Sequence, residues 1–202
     1  MKDTGWIAAA EFIRHPSMVG SAFPASARMV RRMLAPLDWP SIEVLVEYGT
    51  GSGRFTFEML KRMRADAQLI AIETSHAFAA KLREQCGDPR LEVLEGSARN
   101  VRSYIGADAC GRADCIITGL PFSTLSDAEA EIIMHETALA LKPTGVLAAY
   151  QMRPAIRRLI DRNFAQVQRD FEWCNIPPCH LYWAASPLKD PKTAGLNVIP
   201  NQ

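Results

Sequence analysis

Two acids and three glycines stand where a nucleotide-like ligand would need them. The apolar run Val44-Leu45-Val46 ends in Glu47, and Gly49, Gly51 and Gly53 follow as G-x-G-x-G. Glycine accepts positive φ and lets the backbone approach a ligand closely. Behind the loop, Phe55, Met59, Leu60 and Met63 recur at helical spacing, so the stretch reads as strand, tight loop and helix. A helix starting there aims N–H groups and a positive dipole end at the ligand. About 20 residues on, the run Leu69-Ile70-Ala71-Ile72 ends in Glu73. A strand-end carboxylate at that distance can accept both ribose hydroxyls of an adenosine. The dinucleotide fingerprint G-x-G-x-x-G does not fit, because Arg54 fills its third glycine slot.

Glu47 with its G-x-G-x-G loop resembles motif I of the class I S-adenosylmethionine-dependent methyltransferases. The resemblance implies S-adenosyl-L-methionine as cofactor. It would be held by Glu47, Gly49, Gly51, Gly53, Glu73, the Ser97-Ala98 turn and Gly119. Methyl transfer from a sulfonium needs little acid–base machinery, because positive charge already activates the methyl group. The protein must supply in-line placement of a deprotonated nucleophile in a dry pocket. A loop at the end of strand four can do this: Thr118-Gly119-Leu120-Pro121-Phe122. Glycine permits close approach, proline fixes the turn, backbone carbonyls can orient an amine, and the Phe122 ring can pack on a substrate. Alternatively, this is an ordinary strand-to-helix turn with Phe122 in the core.

The elements that must position these residues alternate along the chain. Strands are expected at Leu69–Glu73, Leu91–Glu95, Asp114–Thr118 and Val146–Tyr150, with helices near Ala77–Gln85, Val101–Ile105 and Asp127–Leu141. Lys142-Pro143-Thr144-Gly145 reads as an exit turn. After a helix near Ala155–Asn163, Ala165–Trp173 and His180–Ala184 read as two further strands. Repeated βα units predict an α/β fold with a doubly wound, mostly parallel, seven-stranded Rossmann-like sheet completed by an antiparallel C-terminal strand. One domain is expected over 1–202: a helical N-terminal segment (1–40), a core (41–184) and a loosely packed tail (185–202).

Composition narrows the setting. A formal charge of +1 does not announce nucleic acid, and no metal-ligand spacing is visible. The five cysteines contain no C-x-x-C pair and read as reduced thiols, mostly packed as small apolar groups in a cytoplasmic protein. No run has transmembrane length. The first residues are locally basic and amphipathic, however. Trp6, Ile7, Phe12 and Ile13 alternate with Lys2 and Arg14. After Ser26, an N-cap, Met29, Val30, Met33 and Leu34 share a helix face beside Arg28, Arg31 and Arg32. Such a segment can lie in an anionic membrane surface or simply cap the sheet.

Several pieces together resemble the bacterial phospholipid N-methyltransferases. These are Phe12-Ile13-Arg14-His15-Pro16, Val19-Gly20-Ser21, Pro24-Ala25-Ser26, the glycine loop, Gly119-Leu120-Pro121-Phe122, and Trp173-Cys174-Asn175-Ile176-Pro177-Pro178 with Tyr182 beyond. The similarity runs from about residue 10 to 184. It implies stepwise methylation of phosphatidylethanolamine towards phosphatidylcholine by a peripheral enzyme at the inner face of the cell membrane. Arg14, supported by His15, would bind the lipid phosphate, and Phe122 would meet the substrate. Tyr182, whose place in the motif is the better matched, or His180 would accept the amine proton beside Gly119 and Pro121; otherwise both are strand residues that pack. Gly96-Ser97-Ala98 departs from the family's G-D-A, where the aspartate bonds the adenine amino group. Tyr48 replaces a usual leucine and either reaches the site or packs. The rRNA adenine dimethyltransferases carry similar motifs, but a broad basic surface and an added RNA-binding domain would be expected of them. A non-catalytic cofactor- or membrane-binding relative is the third reading.

Overall fold

A computed structural model describes residues 25–108 and 110–188. Arg14, His15, Trp6 and the rest of the segment before Ala25 lie outside the described residues, as does the chain from Lys189. The strands are β1 Val44–Tyr48, β2 Gln68–Glu73, β3 Leu91–Glu95, β4 Ala113–Thr118, β5 Leu141–Gln151, β6 Phe164–Glu172 and β7 Cys179–Pro187. They form one sheet in the order β3-β2-β1-β4-β5-β7-β6. The first five pair in parallel, and β7 is antiparallel to both β5 and β6. Winding reverses between β1 and β4, so a crevice opens beyond their carboxyl ends, where open α/β sheets bind ligands.

The helices among the described residues are α1 Ala27–Leu34, α2 Arg54–Leu60, α3 His76–Gln85, α4 Val101–Ile105, α5 Asp127–Ala140 and α6 Arg157–Asn163. Strand residues alternate between two apolar layers, as a pleated backbone requires. Leu45, Leu69, Ile117, Leu181 and Trp183 pack with Met29, Val30, Met33 and Leu34 of α1 and Phe55, Met59 and Leu60 of α2. Val46, Ile70, Ile116, Leu147 and Tyr182 pack on the other face with α4, α5 and α6. Each such fully buried aliphatic side chain stabilises the fold by roughly 1.5–3 kcal/mol before its ordering cost. Ser26 caps α1 as expected, its Oγ accepting the Met29 N–H at 3.1 Å.

Three sequence expectations need correction. Lys142–Gly145 lies within β5 rather than in an exit turn: Leu141 pairs with Ala113, and Val146 next pairs with Cys115, so the extra residues bulge out of register. The tail starts later than Ala185, because Ala185–Pro187 continue β7 and the Leu188 N–H donates to Asn163. All five thiols are free, but only Cys115 and Cys179 are buried; Cys110 and Cys174 are exposed.

Candidate active site

The glycine loop is held open from beneath. Gly49, Gly51 and Gly53 have φ of 74°, 49° and 75°, all in the left-handed region. A Cβ on Gly51 would meet nothing within 4 Å, so this backbone borders open space. Glu73 is buried at the end of β2. Its Oε2 accepts N–H donations from Thr50 (2.9 Å) and Gly51 (3.4 Å) and the Thr50 hydroxyl (3.2 Å), while Oε1 accepts the Ser75 N–H at 2.9 Å. The carboxylate thus braces the loop. Glu47, 3 % exposed, accepts the Thr56 hydroxyl at 2.6 Å. Burial pushes its carboxyl up to about 8, against the Thr56 hydrogen bond and with help from Glu73, so near neutral pH it carries a proton much of the time.

The third turn of this edge is Gly96-Ser97-Ala98. Ser97 Oγ accepts the Arg99 N–H at 3.4 Å as the cap of a short 3₁₀ turn, and Ala98 is buried. A Cβ on Gly96 would stand 2.1 Å from the Tyr104 hydroxyl, which explains glycine there. Tyr48 packs: it is buried, and its hydroxyl bonds Thr137 Oγ1 at 3.1 Å.

Across the crevice, the strand-four loop abuts the glycine loop. A Cβ on Gly49 would lie 3.3 Å from Leu120 Cδ2. Gly119 itself has no room for a side chain, since its Cβ would stand 2.1 Å from the Tyr150 hydroxyl. The Tyr150 ring stacks on Phe55 at 4.8 Å. Burial, then the charges of Glu47 and Cys179, raise the Tyr150 pKa and keep its hydroxyl protonated. Gln151 grips the loop from β5: its Nε2 donates to the Leu120 carbonyl at 2.7 Å, and its Oε1 accepts the Phe122 N–H at 3.3 Å. The Pro121 carbonyl accepts both the N–H and the hydroxyl of Thr124.

Of the residues expected at the acceptor side, Phe122 is buried in the core layer under α5, so its ring faces the core and not a ligand in this conformation. Tyr182 is buried in the same layer opposite Ala149, and burial raises its pKa; a hydroxyl so held is a poor proton acceptor. His180 is half-buried at the carboxyl edge, in register with Gln151, with its ring 4.7 Å from Phe171. The sequence does not single out Tyr150, Gln151 or Thr50 as site residues. A polar residue at the end of β5 was the available signal for Gln151.

A positive-φ glycine loop between two buried strand-end acids, on a sheet of this order with an antiparallel β7, defines a class I S-adenosylmethionine-dependent methyltransferase. The bordering residues fit that cofactor: open backbone at Gly51, a carboxylate at Glu73, and a neighbouring loop with no side chain at Gly119. The chain belongs to the family described as "Methyltransferase domain", whose profile matches residues 45–145. It is similar to an ornithine lipid N-methyltransferase of Singulisphaera acidiphila, 26% identical over 175 residues that cover 86% of this chain and 91% of that protein. A ribosomal RNA small subunit methyltransferase A of Leptothrix cholodnii is 31% identical over 107 residues, 53% of this chain and 38% of that one. Among solved structures, a precorrin-6y C5,15-methyltransferase from Geobacter metallireducens superposes with a TM-score of 0.64 at 13% identity, over 81% of this chain and 94% of its own. That last likeness shows the fold alone.

Proposed function

We propose that the protein methylates the primary amine of a membrane lipid head group, phosphatidylethanolamine first, while peripherally bound at the inner face of the cell membrane. The observation that carries this reading is the similarity to a lipid N-methyltransferase over 86% of this chain and 91% of that protein. The rRNA methyltransferase similarity covers only about half of this chain. Ornithine lipid is a second acceptor, favoured by the relative's own substrate; it also presents a primary amine.

S-adenosylmethionine supplies an activated methyl group. The chain's own residues bind and orient. Glu73 would accept the ribose hydroxyls, while its Oε2 keeps the glycine loop in place. Glu47 and the glycine backbone line the cofactor's end of the crevice, and Ser97 and Ala98 line the adenine side. The lipid amine has a pKa near that of lysine, about 10, so it must shed a proton before attack. A low-dielectric site disfavours the ammonium form. With the Leu120 and Pro121 carbonyls already engaged, the Gly119 carbonyl is the loop's acceptor for the amine N–H. Two observations favour His180 over Tyr182 as proton acceptor: its place at the carboxyl edge beside Gln151, and the raised Tyr182 pKa. Arg14 and His15 are proposed to bind the phosphate as a charge-assisted fork.

The test is expression in a bacterium whose membrane holds phosphatidylethanolamine but no phosphatidylcholine. Mass spectrometry of the lipids should show added methyl groups on phosphatidylethanolamine. An unchanged lipid profile with soluble, cofactor-binding protein would sink the proposal.

A further inference from the structure

The β6–β7 hairpin tip is built inside out. Asn175 and Glu172 point inward and are buried, whereas Trp173 and Ile176 are 75% and 79% exposed. Asn175 Oδ1 accepts the Ser26 N–H at 2.9 Å, and its Nδ2 donates to the Pro177 carbonyl at 2.7 Å. Glu172 accepts the Cys174 N–H at 2.8 Å and an Arg32 donation at 3.1 Å, and it faces Arg28 at 3.4 Å. These bonds pin the tip to the start of α1. The Trp173 ring is braced by an edge-to-face contact with Phe171 at 4.4 Å. A stretch free of charge from Trp173 to Pro178 is therefore held rigidly with its apolar groups in water.

Isolated exposed apolar residues are ordinary. This set differs in its surroundings. Gln151, His180 and Phe171 lie in one row across β5, β7 and β6, so Met152 and Arg153 emerge from the same edge as Trp173, about two strand spacings (roughly 10 Å) away. Met152 is also exposed, and exposed arginines, Arg28 and Arg153, flank the tip. Trp beside arginine suits the boundary between acyl chains and anionic head groups. The edge is also the one onto which the crevice opens.

We infer that the β6–β7 tip is a membrane wedge: Trp173 and Ile176, with Met152 beside them, enter the interface of an anionic bilayer while Arg28 and Arg153 meet its head groups. The wedge holds the mouth of the crevice against the leaflet that supplies the lipid. This rests on the lipid reading for its purpose, but not for its test.

Vesicles of phosphatidylethanolamine and phosphatidylglycerol, with and without bromine on the acyl chains, are the probe. Bromolipid should quench the emission of the full-length protein, and Trp173→Phe should remove much of that quenching. Trp173→Ser/Ile176→Ser should weaken vesicle binding about tenfold or more, with cofactor affinity and melting temperature unchanged. The same double variant should still methylate detergent-dispersed lipid. If the parent fails to bind vesicles, or the double variant binds as the parent does and Trp173→Phe leaves quenching intact, the wedge is wrong. If Trp173-dependent binding holds but no lipid is methylated, the acceptor reading fails and the wedge stands.

Discussion

The two walls of the crevice are made differently. The cofactor wall is local: Glu73 reaches back 22 and 23 residues to Gly51 and Thr50, and Thr56 reaches Glu47 across 9. The proposed acceptor wall is assembled from distant chain. Gln151 holds a loop 31 residues away, Asn175 holds Ser26 across 149, and Arg32 holds Glu172 across 140. One wall is a single βαβ unit folded around its acids. The other exists only once β5, β6, β7 and α1 have all docked. Damage to the first should therefore show in cofactor affinity, and damage to the second in turnover.

The largest expected effect breaks the seam between the walls. Gly119→Ala places a methyl group 2.1 Å from the Tyr150 hydroxyl and 2.2 Å from Cζ, so ring or loop must shift. Turnover should fall more than about 100-fold, and stability by about 1–3 kcal/mol. Equal kcat in variant and parent would show that the loop does not position the acceptor. Next, Glu73→Ala leaves the Thr50, Gly51 and Ser75 amides without their acceptor and would remove the proposed ribose partner. Calorimetry should show S-adenosylmethionine binding weakened by roughly 1.5–3 kcal/mol; an unchanged Kd would remove Glu73 from the site.

Glu47 tests the cofactor wall by pH. Its folded-state pKa, about 8, lies above the usual carboxylate value of 4.5. Between those values the folded protein binds the extra proton, so stability is present at low pH and declines as pH rises through the window. From pH 6 to 8 the cofactor-free protein should lose about 2 kcal/mol on this account, and Glu47→Gln should flatten the profile. Parallel denaturation profiles for the two proteins would place the carboxyl in a more solvated setting. The smallest effect is expected from Gln151→Leu. The loop loses its grip on Leu120 and Phe122, and kcat should fall about tenfold while cofactor affinity stays within about twofold. A matching fall in cofactor affinity would mean that the walls are not separable.

This division explains what the sequence made legible. The βα alternation, the glycine loop, the strand-end acids and the α1 cap are short-range patterns of spacing and residue type. The acceptor wall is not such a pattern. Nothing near Gly119 announces that Tyr150 fills its side-chain space, and nothing near Gln151 names the loop it holds. Phe122 and Tyr182 read equally as core or site residues, and burial in the layer under α5 and α6 decides their place. The bulge that draws Lys142–Gly145 into β5 depends on Ala113 in the neighbouring strand, so the Pro-Thr-Gly run alone suggested a turn.

The central claim is a lipid amine acceptor beside a methyl-donating cofactor. The most direct measurement mixes purified full-length protein with methyl-labelled S-adenosylmethionine, vesicles holding phosphatidylethanolamine and ornithine lipid, and ribosomal RNA in one reaction. The products are then separated by class. The account predicts label in the lipid fraction, on the head-group nitrogen, and none in the RNA. Label on RNA adenine with unlabelled lipid would contradict it.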